Sequence, residues 1–120
     1  NLTRAQIGEP AITDLSGYLA GKRQSGWPLL PEKFRSKPCY ANVLKIIPYF
    51  DCAHFASRIR IPTRWFVGHV DELCPPQAVW AGYNSLPEDV DKKMLEFPGL
   101  GHGIPSDLYR RAVKETVASW

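Results

Sequence analysis

The second half of the chain switches its hydrophobic rhythm repeatedly, and that alternation limits the fold more than any other feature. Thr63-Arg64-Trp65-Phe66-Val67-Gly68 follows Pro62 and is rich in aromatic and β-branched residues, the composition of a strand. Pro75-Pro76 then opens a helix at first-turn positions, where a missing N–H costs nothing, and Ala78, Val79, Ala81 and Tyr83 continue it. Lys92-Lys93-Met94-Leu95-Glu96-Phe97 reads as the next strand and Gly99-Leu100-Gly101-His102-Gly103 as a tight turn. Ser106 is placed to cap a last helix, on which Leu108, Ala112, Val113 and Val117 trace an apolar stripe at three- and four-residue steps. Strands alternating with helices predict an α/β fold whose parallel sheet is joined by right-handed crossovers.

The first half is less regular. Residues 2–9 read as a short strand ending at Pro10, and 11–48 as an insertion. Within it residues 14–19 suit a helical turn or two, Gly17, Gly21 and Gly26 break anything longer, and Pro28, Pro31 and Pro38 punctuate a loop that carries Trp27 and Phe34. The aromatics Tyr18, Trp27 and Phe34 suit core packing, a roof over a pocket or a subunit contact. Helical spacing over 40–47 stops at Pro48, and Asp51 can cap a short helix containing Ala53, Phe55 and Ala56. The count is about three strands, a small parallel sheet whose open edges favour self-association.

Composition narrows the function. With a net charge of +3 over 120 residues, the basic residues are interspersed with acids rather than gathered into the stripe a nucleic-acid partner needs. Arg58, Arg60 and Arg64 are close in sequence but flank an apolar strand. No apolar run approaches the ~20 residues of a membrane-spanning helix. Cys39, Cys52 and Cys74 form no CxxC and cannot all pair within one chain, so neither a disulfide framework nor a zinc knuckle is indicated.

In an open parallel sheet, reacting groups gather on loops at the carboxyl ends of the strands. Asp71 lies on the loop after the strand ending at Gly68, and His102 on the loop after the strand ending at Phe97. Adjacent parallel strands place the two side by side. A carboxylate accepting the imidazole Nδ1–H fixes the tautomer and stabilises the imidazolium that forms when the ring removes a serine proton. Glycines on both sides of His102 allow a sharp turn that exposes the ring. The order acid then histidine is the end of the Ser…Asp…His order of α/β-hydrolases, and the interval from 71 to 102 leaves room for one helix and one strand. Plainer roles compete. Asp71 can cap the helix after the double proline, and His102 can be a loop residue satisfied by a carbonyl. His69, Asp71, Glu72 and Cys74 can be read as a metal cluster, although such sites usually draw on separate elements. Cys74 suits a small buried apolar position and is otherwise the fallback nucleophile.

Four segments carry a resemblance. Tyr49-Phe50-Asp51-Cys52-Ala53-His54-Phe55-Ala56, Gly68-His69-Val70-Asp71-Glu72-Leu73-Cys74-Pro75-Pro76, Val79-Trp80-Ala81-Gly82-Tyr83-Asn84 and Gly101-His102 resemble the acetyl xylan esterase and cephalosporin C deacetylase family. Its pattern runs Y-F-D-x-x-N-F-A, V-G-x-x-D-x-x-C-P-P, V-x-A-A-Y-N and G-H; His54 stands where the family often has asparagine. The resemblance implies the C-terminal part of an α/β-hydrolase fold over residues 1–120, with Asp71 as triad acid and His102 as triad base. It implies a serine carboxylesterase acting on small acetyl esters or acetylated saccharides, with no metal or organic cofactor, and commonly a homo-oligomer.

The family's nucleophile elbow, G-x-S-x-G, does not occur. None of Ser16, Ser25, Ser36, Ser57, Ser85, Ser106 and Ser119 has glycine at both the second position before and the second after. The nucleophile-bearing N-terminal part and its oxyanion donors are thus expected outside this chain, which alone is expected to be inactive and to need a complementing N-terminal part. The rival expectation is a non-catalytic binding or assembly module of α/β-hydrolase ancestry that offers its sheet edge to a partner.

Overall fold

The computed structural model describes residues 2–15, 17 and 35–119. In chain order the elements are β1 (Ala5–Gly8), α1 (Tyr40–Ile46), a 3₁₀ turn (Ile47–Phe50), α2 (Cys52–Ala56), β2 (Thr63–Gly68), α3 (Pro76–Asn84), β3 (Lys92–Phe97) and α4 (Ser106–Ala118). The strands form one three-stranded sheet in the order β1-β2-β3. Both pairings are parallel, with Ile7 and Met94 flanking Trp65. The α/β architecture expected from the alternation is the one adopted. Tyr18, Trp27 and Phe34, on which the insertion's role was to turn, lie outside the described residues.

β2 is central and every one of its residues is buried. That burial explains its continuous apolar run, because a parallel strand covered on both faces has no solvent side to mark with polar residues. Trp65 and Val67 face a core built with Ala56, Cys74, Val79 and Leu86. On the opposite face Phe66 stacks on Phe97 at 6.3 Å between centroids and meets Tyr109 of α4 at 5.4 Å. Fully burying side chains such as Phe66, Val67 and Val79 stabilises the fold by about 1.5–3 kcal/mol each. Arg64 is buried too, and its guanidinium forks onto both carboxylate oxygens of Asp91 at 3.1 Å, tying the start of β2 to the approach to β3. Arg60 donates to the Ser57 and Ile59 carbonyls, so these two arginines serve local structure.

Three local expectations are corrected. The helix over 40–47 ends at Ile46, and Pro48 sits inside the 3₁₀ turn that follows. Ser106 is the first residue of α4 rather than its cap; Pro105 holds the cap position without a side-chain hydrogen bond. Of the expected stripe on α4, Ala112 is buried, but its buried companion is the polar Thr116, whereas Leu108 and Val117 are 40% and 55% exposed. Tyr109, one helical turn before Ala112, meets Phe66 from the same side of the helix.

Asp51 does more than start a helix. One of its oxygens accepts from Ala53 N, the expected cap, and from Asp14 N; the other accepts from Leu15 N at 2.8 Å. A single carboxylate that is 3% exposed thereby fastens the chain just after β1 to the start of α2. Among the described residues, no helix is long and apolar enough to cross a membrane.

Candidate active site

Because all three strands run the same way, the segments following Gly8, Gly68 and Phe97 emerge at one edge of the sheet. The loop after β2 is shaped by Asp71. Its Oδ1 accepts from Leu73 N and Cys74 N, both at 2.8 Å, closing a turn that delivers the chain to Pro75 and α3. The cap position of α3 itself belongs to Pro75, so Asp71 does not cap the helix.

The second oxygen of Asp71 is left for the neighbouring loop. His102 Nδ1 lies 3.0 Å from Asp71 Oδ2, with the carboxylate side chain wholly buried and the imidazole side chain 45% exposed. The two residues singled out from sequence are therefore brought together. A buried acceptor on Nδ1 holds the ring in one orientation, an arrangement in which Nε2 is the nitrogen that could exchange a proton.

Gly68 makes this approach achievable. A Cβ there would fall 2.6 Å from the Leu100 carbonyl oxygen and 2.8 Å from that of Gly101. The loops are also joined directly, since Val70 N donates to Leu100 O at 3.0 Å and His69 N to Phe97 O at 3.2 Å. Of the glycines flanking His102, only Gly103 uses the left-handed region, at φ 77°; the other such glycine in the turn is Gly99, at 75°.

A second carboxylate, Glu9, completes the cluster and was read from sequence only as the end of a strand. It follows β1 with φ 43°, and its Oε2 accepts from Gly103 N at 3.1 Å and lies 3.8 Å from His102 Nδ1. Burial pushes the Glu9 carboxyl above its ordinary value of 4.5; the Gly103 N–H opposes the rise, the Asp71 charge adds to it and the His102 charge opposes it. A signal was available, because Glu9 stands at a carboxyl strand end by the same rule that selected Asp71.

The metal reading of His69, Asp71, Glu72 and Cys74 is not the grouping formed. His69 turns instead to Glu96, 2.8 Å away, and Glu72 is exposed. Asp71, Cys74 and His102 do place one potential ligand atom each within 4.8 Å of one another. The hydrogen bonds on both Asp71 oxygens and on Nδ1 already account for that proximity. Cys74 is 1% exposed, too enclosed for a substrate to reach, and burial together with Asp51 raises the thiol of Cys52 above its ordinary value.

A parallel sheet with crossover helices and a buried acid beside a histidine at its carboxyl edge defines part of an α/β-hydrolase. The acetyl xylan esterase (AXE1) family profile matches residues 32–113, and the chain belongs to that family. It is 30% identical over 86 residues to the acetyl esterase Axe7A of Xylanibacter ruminicola, a match covering 71% of this chain and 19% of that protein. Among solved structures, an acetyl xylan esterase from Paenibacillus sp. R4 superposes with a TM-score of 0.79 at 22% identity, covering 98% of this chain and 38% of that one. Acetyl xylan esterase 1 from Thermoanaerobacterium sp. JW/SL YS485 gives 0.73 at 21% identity, covering 94% and 37%. The chain thus spans well under half the length of each of these relatives.

Proposed function

We propose that this chain is the acid- and histidine-bearing C-terminal portion of a serine carboxylesterase that removes acetyl groups from acetylated saccharides or similar small esters. The observation that carries the reading is the 3.0 Å contact between His102 Nδ1 and the buried Asp71 Oδ2. In the complete enzyme a serine on a preceding segment attacks the acetyl carbonyl. His102 takes the hydroxyl proton through Nε2, and Asp71 holds the ring and stabilises its positive charge. The imidazolium then protonates the departing sugar alcohol, and water activated by the same ring releases acetate. The acetyl group is suggested by the family and by the acetyl esterase Axe7A. The 120 residues alone, having no serine elbow, are inactive in this reading.

The test is p-nitrophenyl acetate hydrolysis by the complete esterase. His102→Ala and Asp71→Asn should each lower kcat by on the order of 10³-fold or more, as loss of a triad member does. Wild-type turnover in His102→Ala would remove the histidine from the reaction. Esterase activity of the 120-residue chain alone would contradict the placement of the nucleophile outside it.

A further inference from the structure

Glu9 stands in a costly conformation for a residue of its type. Its φ of 43° lies in the left-handed region, which glycine occupies freely and a glutamate does not. Its side chain is only 12% exposed, and Oε1 is buried without a hydrogen-bond partner among the described residues. A strained backbone and an under-satisfied buried carboxylate are both destabilising, and such residues cluster at functional sites. What the arrangement achieves is specific: Oε2 holds the N–H of Gly103, the residue after His102, and sits 3.8 Å from His102 Nδ1.

We propose that Glu9 is a positioning residue of the esterase centre, clamping the His102 turn through Gly103 N–H and placing a second negative charge beside the imidazolium formed during acyl transfer. This rests on the role of His102 proposed above and assigns a function to the tip of β1 that the acid–histidine pair alone does not require. Asp71 is held from the β2 loop and His102 from the β3 loop, so Glu9 adds support from the third strand. Among the described residues, the titratable groups around it are Asp71 and His102 on those loops and, on α4, Tyr109, whose ring lies beside Gly8.

Two substitutions separate clamp from charge, measured in the complete esterase with p-nitrophenyl acetate. Glu9→Gln keeps an acceptor for Gly103 N–H and loses the charge. At 3.8 Å, even fully water-screened attraction amounts to about sixfold, so kcat should fall about fivefold or more with KM little changed. Glu9→Gly relieves the backbone but removes the clamp as well, and kcat should fall further, by about 10- to 100-fold.

Stability should move the opposite way. A carboxyl raised by burial binds its proton more tightly in the native state, so its contribution to folding is fullest below 4.5 and is lost as pH rises through the native value. Ionised Glu9 therefore costs stability at neutral pH. Glu9→Gln should melt at or above the wild-type temperature at pH 7, with the difference closing at acid pH. Glu9→Gly should likewise keep its Tm.

Wild-type kcat in both Glu9 variants, with His102→Ala inactive, would overturn the inference and leave the proposed function standing. Activity in His102→Ala would overturn that function itself. A rise in KM in place of a fall in kcat, or a collapse of Tm in both Glu9 variants, would also overturn the positioning role.

Discussion

Gly68→Ala probes how closely the loops carrying Asp71 and His102 must pass if the two act as proposed. The added methyl would sit 2.6 Å from the Leu100 carbonyl oxygen and 2.8 Å from that of Gly101, where ordinary contact begins at 3.4 Å. Both obstacles are backbone, so no side chain can swing aside. The turn carrying His102 must retreat by about 0.8 Å, or the end of β2 must bend by as much. Asp71 cannot follow, because its Oδ1 is held by Leu73 N and Cys74 N. The imidazole therefore loses its 3.0 Å contact with Oδ2. A misplacement near 1 Å costs about 10²-fold in rate, and overpacking of this kind costs about 1–3 kcal/mol of stability. The measurement is kcat/KM for p-nitrophenyl acetate in the complete esterase, with Tm alongside. Gly101→Ala is the control, because its Cβ would meet only the Val70 carbonyl oxygen at 3.5 Å, and its activity should stay within about threefold of wild type. Gly68→Ala with wild-type kcat/KM would refute the reasoning, and equal losses in the two variants would show that contact at Gly68 is not what sets the turn.

Two stability predictions test the frame that carries these loops. Asp51→Ala strips acceptors from the N–H groups of Asp14, Leu15 and Ala53 in a nearly closed site, and should cost about 3 kcal/mol or more; an unchanged Tm would show that water replaces the carboxylate. Gly82→Ala in α3 gains about 1 kcal/mol in helix propensity but brings a Cβ to 2.9 Å from Thr13 Cγ2 and 3.0 Å from the Trp65 ring. A lower Tm is expected, and a higher one would mean that the ring gives way.

The parts of the fold that could be read from sequence are those in which one residue type has one physical use. Six consecutive buried positions require an uninterrupted apolar run, and β2 has one apart from Arg64 and Thr63, whose polar ends sit at its start. Pro75-Pro76 has few places to stand other than a helix start. The orientation of α4 could not be read in this way. The stripe of Leu108, Ala112, Val113 and Val117 is met at Ala112, but the polar Thr116 takes a buried place and Leu108 and Val117 do not, on a helix whose Tyr109 ring meets Phe66 of a distant element. Glu9 escaped for a related reason. Its partner is Gly103, 94 residues away, and a left-handed backbone at a glutamate has no compositional mark.

The site itself shows why local sequence leaves an acid's role undecided. Capping and catalysis compete for Asp71 only if the carboxylate is treated as one acceptor. It has two oxygens, and the structure divides them: Oδ1 binds the backbone of its own loop and Oδ2 faces the imidazole of the next. The structural use is a condition of the proposed chemical one, because two backbone N–H groups hold a wholly buried carboxylate. An isosteric amide at this position exposes the division. Asp71→Asn can keep Oδ1 on Leu73 N and Cys74 N, so the loop should survive with little loss of Tm. Its NH₂ would then face Nδ1 and favour the wrong tautomer, removing catalysis from a folded protein. If the variant instead unfolds, the charge is needed to build the loop as well as to run the reaction.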